Sequence, residues 1–324
     1  MMAENNNLNQ DDLMVIATWM YYRDDLTHQQ IAKELSLSRV AVTRLLQKAR
    51  RHGLVQFKIT QPLPLHYDLS QQLIKTFDIQ KVIIVKTLGS RDETLDAIGR
   101  AAAEHMKEVI YQDCRLGFGW STTVSCMAPY LEKPDNPVNV FINELAGSML
   151  GQKYPYSISS RVAETVEGVL EHLPVPVIVN NQKTYQALME EQLIKTALTN
   201  ASKCDIAFVG LGDMGPECTM IKTGYLTPEQ MDDLKQKGAV GDILLRYYDI
   251  DGKQILTPLD PNIISLEWEQ IIHIPYTVAL ASGLTKVDTI LGALQGGFID
   301  CLVSDTQTIQ QVLKRYTEIP ADPT

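Results

Sequence analysis

Five segments combine glycine with residue types that bind small polar ligands, and four of them lie at the end of a predicted strand. A glycine allows the backbone to turn tightly there, and free N–H groups at the start of the next helix can hold an anion. The segments are Gly117–Thr123, Ala146–Ser148, Gly210–Gly212, Gly238–Asp242 and Ala281–Lys286. In parallel sheets, ligands bind at the carboxyl ends of strands. The spacing therefore predicts one binding site assembled from several loops.

Side chains in these segments suit a small polyhydroxylated ligand, with or without a phosphate. Hydroxyl groups would donate hydrogen bonds, Asp242 would accept them from sugar hydroxyls, and Lys286 would supply a cation. The predicted ligand-site residues are Gly119, Ser121, Thr122, Thr123, Gly147, Gly210, Gly212, Asp242 and Lys286. At any single loop, the simpler explanation is favoured: a glycine needed only by the backbone, an ordinary surface lysine at Lys286, or an ordinary N-cap at Asp242. Their joint occurrence favours a ligand site.

Other kinds of chemistry lack their usual patterns. The six histidines show no zinc-ligand spacing, and the chain has no nucleophile elbow and no phosphate-binding P-loop. Gly117-x-Gly119 lacks the third glycine and the acidic residue of a dinucleotide site. Asp249–Gly252 resembles the start of a calcium loop without its final glutamate, so a hairpin turn is expected. We predict no catalytic residue, metal or cofactor.

Charge is distributed unevenly along the 324 residues, whose net charge is −10. Between Leu26 and Lys58, seven lysines and arginines stand against one glutamate. A basic block on an acidic chain indicates a nucleic-acid-binding module joined to a body with another task.

The basic block has the signals of a helix-turn-helix. Apolar spacing predicts helices over 11–23, 28–35 and 39–52. Thr27 and Gln30 form a capping box, Ser38 is an N-cap, and Gly53 ends the third helix. The alternating segment 54–59 predicts a strand, which would be the wing.

The third helix would enter the major groove. Arg39 and Arg44 suit guanine edges or phosphates, and Gln47 suits adenine. Phosphate contacts are expected from Lys48, Arg50 and Arg51. The full set of predicted DNA-binding residues is Thr27, Gln29, Ser38, Arg39, Thr43, Arg44, Gln47, Lys48, Arg50 and Arg51. The alternative is a plain helical bundle with a solvated basic face.

Two prolines in 61–66 indicate a linker between a DNA-binding domain, 1–60, and a larger domain, 67–324. The larger domain alternates strands and helices, which predicts an α/β fold with a parallel sheet covered on both faces. Strands are predicted at 81–86, 114–118, 138–145, 175–179, 204–210, 276–281 and 301–304. Helices are predicted at 67–77, 93–110, 121–131, 161–173, 186–200, 286–295 and 306–316.

The compartment is predicted from what the sequence lacks. Its apolar runs are too short to cross a bilayer, and its polar, acidic N-terminus does not resemble a signal peptide. Five scattered cysteines without a CxxC pair suggest reduced thiols. We expect a cytoplasmic protein with no membrane partner.

With these residues in view, the chain resembles the SorC family of bacterial sugar-responsive transcriptional regulators over nearly its whole length. The motifs that carry the resemblance are Leu26-Thr27-x-Gln29-x-Ile31-Ala32, Ser38-Arg39-x-x-Val42-x-Arg44-Leu45-Leu46, Gly238-Ala239-Val240-Gly241-Asp242-Ile243 and Ala293-Leu294-x-Gly296-Gly297-Phe298-Ile299-Asp300. Their order and spacing make the match specific.

The resemblance implies a winged helix-turn-helix joined to an effector domain similar to sugar-phosphate isomerases and glucosamine-phosphate deaminases. It also implies a homodimer or homotetramer that binds double-stranded operator DNA and controls a sugar-catabolism operon. The family's ligand positions fall on 119–123, 210–212, Asp242 and Lys286. Many members have Trp-Gly-Arg-Thr where this chain has Trp120-Ser121-Thr122-Thr123. The missing arginine favours a free ketose or polyol over a sugar phosphate.

Two functions from different classes follow. The first is a transcriptional regulator controlled by a sugar, polyol or sugar phosphate. The alternative is an enzyme of sugar-phosphate metabolism that carries a DNA-binding module, with Lys286 and Asp242 as candidates for Schiff-base or proton-transfer chemistry. A repressor that oligomerises without any small ligand is a further alternative.

Overall fold

The computed structural model describes residues 9–55, 64–134, 138–148 and 157–319. The chain divides into two compact units, Met1–Leu63 and Pro64–Thr324. The division falls within the predicted linker 61–66, of which residues 61–63 lie outside the described residues.

Three helices form the described part of the first unit: α1 (Gln10–Tyr22), α2 (His28–Glu34) and α3 (Arg39–Arg51). Their apolar faces bury one common core that includes Ile31 and Val42. This arrangement confirms the three predicted helices, and each helix end lies within one residue of its predicted position.

The predicted helix caps of the first unit are present. The Thr27 hydroxyl accepts from the backbone N–H of Gln30, and the Gln30 side chain accepts in return from the N–H of Thr27. The Ser38 hydroxyl accepts from the N–H of Ala41 at 3.1 Å. Gly53 follows α3 with φ +71°, the left-handed conformation that glycine tolerates best. The predicted wing strand, 54–59, falls mostly on residues 56–59, which lie outside the described residues.

The second unit is built on a twisted sheet flanked by helices. The strands within its described residues are β1 (Lys81–Val85), β2 (Cys114–Phe118), β3 (Val140–Glu144), β4 (Val169–Glu171), β5 (Ile206–Asp213), β6 (Gly241–Ile243), β7 (Arg246–Tyr248), β8 (Gln254–Ile255), β9 (Tyr276–Leu280) and β10 (Cys301–Asp305). The main sheet has the order β1-β10-β9-β5-β2-β3-β4, and its pairs are parallel. The predicted parallel α/β fold is therefore confirmed.

The sheet is covered on both faces. The helices are α4 (Leu65–Phe77), α5 (Arg91–Val109), α6 (Thr122–Ser125), α7 (Ile158–Val166), α8 (Gln182–Glu190), α9 (Gln192–Ala201), α10 (Thr219–Lys222), α11 (Pro228–Gln236), α12 (Trp268–Ile271), α13 (Val287–Gly296) and α14 (Thr306–Glu318). Side chains of β5 alternate between two buried cores: Ala207 and Val209 join the core shared with α4, α13 and α14, whereas Phe208 joins the core shared with α5 and α7. Because both faces of the sheet are buried, the sequences of its strands are nearly continuous apolar runs.

The sheet has a topological switch point between β2 and β5. These strands are neighbours, yet the chain continues from β2 to β3 and β4 on one side, and from β5 to β9 and β10 on the other. The connections diverge there and leave a crevice at the carboxyl ends, where open α/β sheets bind ligands. The last three residues of β5 extend past this point and pair antiparallel with β6.

Some predicted elements differ from the structure. The helix predicted at 121–131 is short, because Pro129 lies in a separate 3₁₀ turn and cannot donate a backbone hydrogen bond. The helix predicted at 161–173 ends at Val166, and Val169–Glu171 becomes the edge strand β4. Segment 175–179 makes isolated bridges rather than a strand of the sheet. The helix predicted at 186–200 is broken at Glu191 into α8 and α9.

Candidate functional site

A cavity opens at the carboxyl ends of β2 and β5, at the switch point. It encloses about 730 Å³, including space open to solvent. The lining residues are Arg91, Trp120, Ser121, Thr122, Thr123, Gly210, Leu211, Gly212, Asp213, Glu217, Cys218, Thr219, Met220, Asp242, Leu244, Leu245 and Lys286. Seven predicted ligand-site residues therefore meet in one place, as a site assembled from loops requires. We name it the switch-point cavity.

Two predicted residues lie elsewhere. Gly119 does not line the switch-point cavity; a Cβ there would meet the Leu244 side chain at 2.7 Å, so glycine allows close packing beneath the cavity. Gly147 lines a neighbouring cavity. A Cβ at Gly147 would meet the backbone of Val175 and Pro176 at under 3 Å, so glycine allows close backbone approach there.

The loop after β2 is organised by Ser121. Its hydroxyl caps α6 by accepting from the backbone N–H of Thr123 at 3.1 Å and more weakly from that of Val124. The hydroxyl hydrogen remains to be offered to a ligand, because these contacts use only its acceptor capacity. Ser121 also lies against Gly210, where an added Cβ would overlap its hydroxyl. Glycine at 210 therefore allows the two strand ends to approach.

Asp242 is the buried acceptor of the switch-point cavity. It lies on β6, is 9% exposed, and its Oδ2 accepts from the backbone N–H of Leu245 at 3.0 Å. Burial raises the pKa of this carboxyl to about 6, although the Leu245 N–H and the Lys286 ammonium oppose the shift. A sugar hydroxyl could donate to Asp242 and stabilise its ionised form.

Lys286 is the cation opposite Asp242. It ends a 3₁₀ turn just before α13, and its ammonium donates to the backbone carbonyl of Leu211 on β5. Burial lowers the pKa of Lys286, while the carboxylates of Asp213 and Asp242 favour its charged form. This arrangement holds one donor group at the end of β5.

Sequence reasoning missed Arg91, which also lines the switch-point cavity. It is the first residue of α5, directly after the capping box of Ser90 and Glu93. The loop after β2 lacks the arginine that the resemblance implies, but Arg91 supplies a guanidinium to the same cavity from another helix. The signal was available, because Gly89-Ser90-Arg91 is a further strand-to-helix loop.

Seven of the ten predicted DNA-binding residues lie on α3. Arg39, Arg44 and Gln47 are exposed, and Val40 beside them is 60% exposed. Val40 was missed as a candidate; an exposed apolar side chain can contact a thymine methyl group. Gln29 on α2 and Arg51 at the end of α3 are also exposed.

Other predicted DNA-binding side chains have partners within the unit. Thr27 and Ser38 cap helices, and the Thr43 hydroxyl donates to the carbonyl of Arg39. Lys48 pairs with Asp11 at 3.4 Å, and Nε of Arg50 donates to the Tyr22 hydroxyl at 2.6 Å. These contacts hold the helices in place, and Lys48 and Arg50 also supply positive charge.

Known proteins are similar to this chain over nearly its whole length. Residues 62–314 match the family model described as "Putative sugar-binding domain". The chain is 31% identical over 317 residues to the uncharacterized transcriptional regulator YjhU of Escherichia coli strain K12, covering 95% of this chain and 96% of that protein. It is 28% identical to the sorbitol operon regulator of Klebsiella pneumoniae, covering 94% and 99%.

The crystal structure of the full-length sorbitol operon regulator SorC from Klebsiella pneumoniae superposes with a TM-score of 0.72 at 27% identity, covering 95% of this chain and all of that one. This chain belongs to the SorC family. Its function is transcriptional regulation, and the regulator names of its relatives decide against the enzyme alternative.

The part of this SorC-family chain that the structure describes lacks two further features. Among the residues that the structure describes, no group of three or more histidines, cysteines, aspartates or glutamates could hold a metal ion. Within the same residues, no helix is long and apolar enough to span a membrane.

Proposed function

We propose that this regulator controls a sugar-catabolism operon in response to a sugar, polyol or sugar phosphate bound in the switch-point cavity. The observation that carries the proposal is the meeting of Asp242 and Lys286 at the carboxyl ends of β2 and β5. A buried acceptor, a cation and several hydroxyls within one cavity match the donor and acceptor pattern of a polyhydroxylated ligand.

DNA recognition is assigned to α3. The exposed Arg39, Arg44 and Gln47 would read base edges, while Lys48, Arg50 and Arg51 would contact phosphates. The interface would be completed by Thr27, Gln29 and Ser38 near the helix starts and by Thr43 one turn into α3. The capped, tightly packed helix pair supports this assignment, because a recognition helix must be held rigidly to select bases.

Two further properties belong to the proposal. We expect a homodimer or homotetramer, because a symmetric assembly binds two half-sites of an operator. We also expect it to act in the cytoplasm, where bacterial operators lie. The ligand would favour one of two arrangements of the assembly and so change operator affinity, which is a coupling between two sites.

The test is thermal unfolding of the full chain with matched panels of free sugars, polyols and their phosphates. A ligand at about 100 times its Kd stabilises the folded state by about 2.7 kcal/mol. Polyols at high concentration stabilise most proteins, so each shift is compared with that of the Lys286→Ala variant. Operator binding is measured with a DNA fragment selected from random sequence.

Lys286→Ala should lose the response to the effector and keep its affinity for DNA. Lys253→Ala changes an exposed lysine of the turn between β7 and β8 and should keep both. If no compound shifts the wild type more than Lys286→Ala, the effector proposal is wrong and a ligand-independent repressor is favoured. If Lys286→Ala still responds, the site has been placed wrongly.

A further inference from the structure

The cavity that Gly147 lines lies next to the switch-point cavity and shares Trp120 and Ser121 with it. We propose that the effector site extends into this second cavity, where Glu144 accepts a hydrogen bond from a hydroxyl at the far end of an extended polyol or open-chain sugar. This inference rests on the proposed function, because it takes one end of the ligand to lie at Asp242 and Lys286. Glu144 would then determine which chain lengths bind.

Glu144 is a buried carboxylate with one oxygen satisfied. It ends β3, in register with Phe118 at the end of β2, and is 5% exposed. Its Oε2 accepts from the backbone N–H of Leu173 at 2.9 Å and lies 2.6 Å from Nδ1 of His172. Its Oε1 is buried and has no hydrogen-bond partner in the described part of the chain.

The held oxygen determines which atom is available to a ligand. Because Oε2 is held by His172 and Leu173, Oε1 is the oxygen of Glu144 left to accept a hydrogen bond from a ligand in the cavity that this residue lines. A buried acceptor without a donor is unfavourable, so a group that donates to Oε1 gains the hydrogen bond and removes this cost. Trp120 supplies the complementary group, because its buried Nε1 also lacks a partner among the described residues.

The charges of the two cavities differ. Arg91 and Lys286 line the switch-point cavity, whereas the described lining of the second cavity includes neither lysine nor arginine. Its polar side chains besides Glu144 and Trp120 are serine hydroxyls: Ser121, Ser125, Ser148, Ser157 and Ser159. A phosphate beside Glu144 would be repelled, while neutral hydroxyls would be accepted. The ligand end in this cavity is therefore hydroxylated and uncharged.

The experiment compares straight-chain polyols of three, four, five and six carbons, each free and as its terminal monophosphate. Binding to the full chain is measured by calorimetry and by melting shifts relative to Lys286→Ala. The wild type should bind the five- and six-carbon members more tightly than the three-carbon members, because only the longer chains reach Oε1.

Glu144→Gln is the decisive variant, since it keeps the size and the contact with the Leu173 N–H while placing an NH₂ donor where Oε1 was. It should lose roughly 10–100-fold in affinity for the six-carbon members and less than about threefold for the three-carbon members. Glu164→Gln, an exposed glutamate on α7, is the matched control and should bind like the wild type.

The outcomes separate the two proposals. If Glu144→Gln binds long and short members like the wild type, or loses both equally, the second-cavity proposal is overturned and the proposed function stands. Affinity of the wild type that does not depend on chain length overturns it in the same way. If the wild type binds no member above the Lys286→Ala reference, the second-cavity proposal fails. The proposed function fails as well only if the panel of free sugars and sugar phosphates also gives no shift above that reference.

Discussion

Gly212 lies directly opposite Asp242 in the antiparallel pairing of β5 with β6, and its missing side chain leaves the space that Oδ1 of Asp242 occupies. A Cβ at 212 would overlap this oxygen. The position of the buried carboxylate thus depends on a glycine of the neighbouring strand.

Gly212→Ala should therefore displace the Asp242 carboxylate and weaken effector binding at least about tenfold, a loss of 1.4 kcal/mol or more. Operator affinity should stay unchanged, because the change lies in the second unit. Gly89→Ala is the matched control, since its Cβ would meet only Glu93 Oε2 at an ordinary 3.5 Å. The measurement is calorimetric titration with a compound that stabilises the wild type; equal affinities in both variants would contradict the role of Gly212.

The buried Asp242 should make stability depend on pH in a defined direction. Burial raises the pKa of Asp242 to about 6 from an ordinary 3.8, so the unfolded chain releases this proton at lower pH than the folded protein does. Its contribution to stability is therefore lost as pH rises from about 4 to 6, by up to about 3 kcal/mol. Asp242→Asn lacks this loss, so it should melt higher relative to the wild type at pH 7.5 than at pH 4. A difference in Tm that does not change with pH would count against burial of the charge.

Arg91 should distinguish phosphorylated from free effectors. It lines the switch-point cavity at the start of α5, and a phosphate bound there would accept charge-assisted hydrogen bonds from its guanidinium. Arg91→Ala should weaken binding of a sugar phosphate by roughly 1.5–3 kcal/mol and leave the free polyol nearly unchanged. Arg100→Ala, farther along the same helix and outside this cavity, is the control. Equal losses for both ligands would show that Arg91 does not contact phosphate.

Arg44 should contribute to sequence-specific DNA binding. It is exposed on α3 beside Arg39 and Gln47, where a guanidinium can reach guanine. Arg44→Ala should weaken operator binding by roughly 1–3 kcal/mol and relax the preference at one base pair. Competition between the selected operator and single-base variants measures both effects. An unchanged preference at every position would refute base contact.

Arg51 should contribute charge without specificity. Arg50 is less suitable for this test, because Arg50→Ala would also remove its hydrogen bond to Tyr22 of α1. Arg51→Ala should weaken binding to operator and random DNA alike and reduce the slope of log K against log salt by about 1. Titrations at several salt concentrations measure this slope. A loss confined to the operator would indicate a base contact instead.

The three helices of the first unit could be predicted from the sequence because their signals are local. A cap involves residues three positions apart, and an apolar face repeats within a turn or two, so Thr27, Gln30 and Ser38 mark helix starts without reference to the rest of the chain. The errors arise where distant pairing decides. Val169–Glu171 is a strand because β3 offers an unpaired edge, and Glu191 breaks a helix whose apolar spacing continues across it.

By itself, the sequence determined that strands alternate with helices and that glycine-rich loops follow several strands, and it made Asp242 and Lys286 candidate binding residues. Only the tertiary structure decided that β2 and β5 are neighbours, and hence that their loops meet Asp242 and Lys286 at one cavity. It also placed Arg91 of α5 in the lining of this cavity and left Oε1 of Glu144 without a hydrogen-bond donor among the described residues. The physical reason is that strand order follows from burying both faces of the sheet, which no short stretch of sequence encodes.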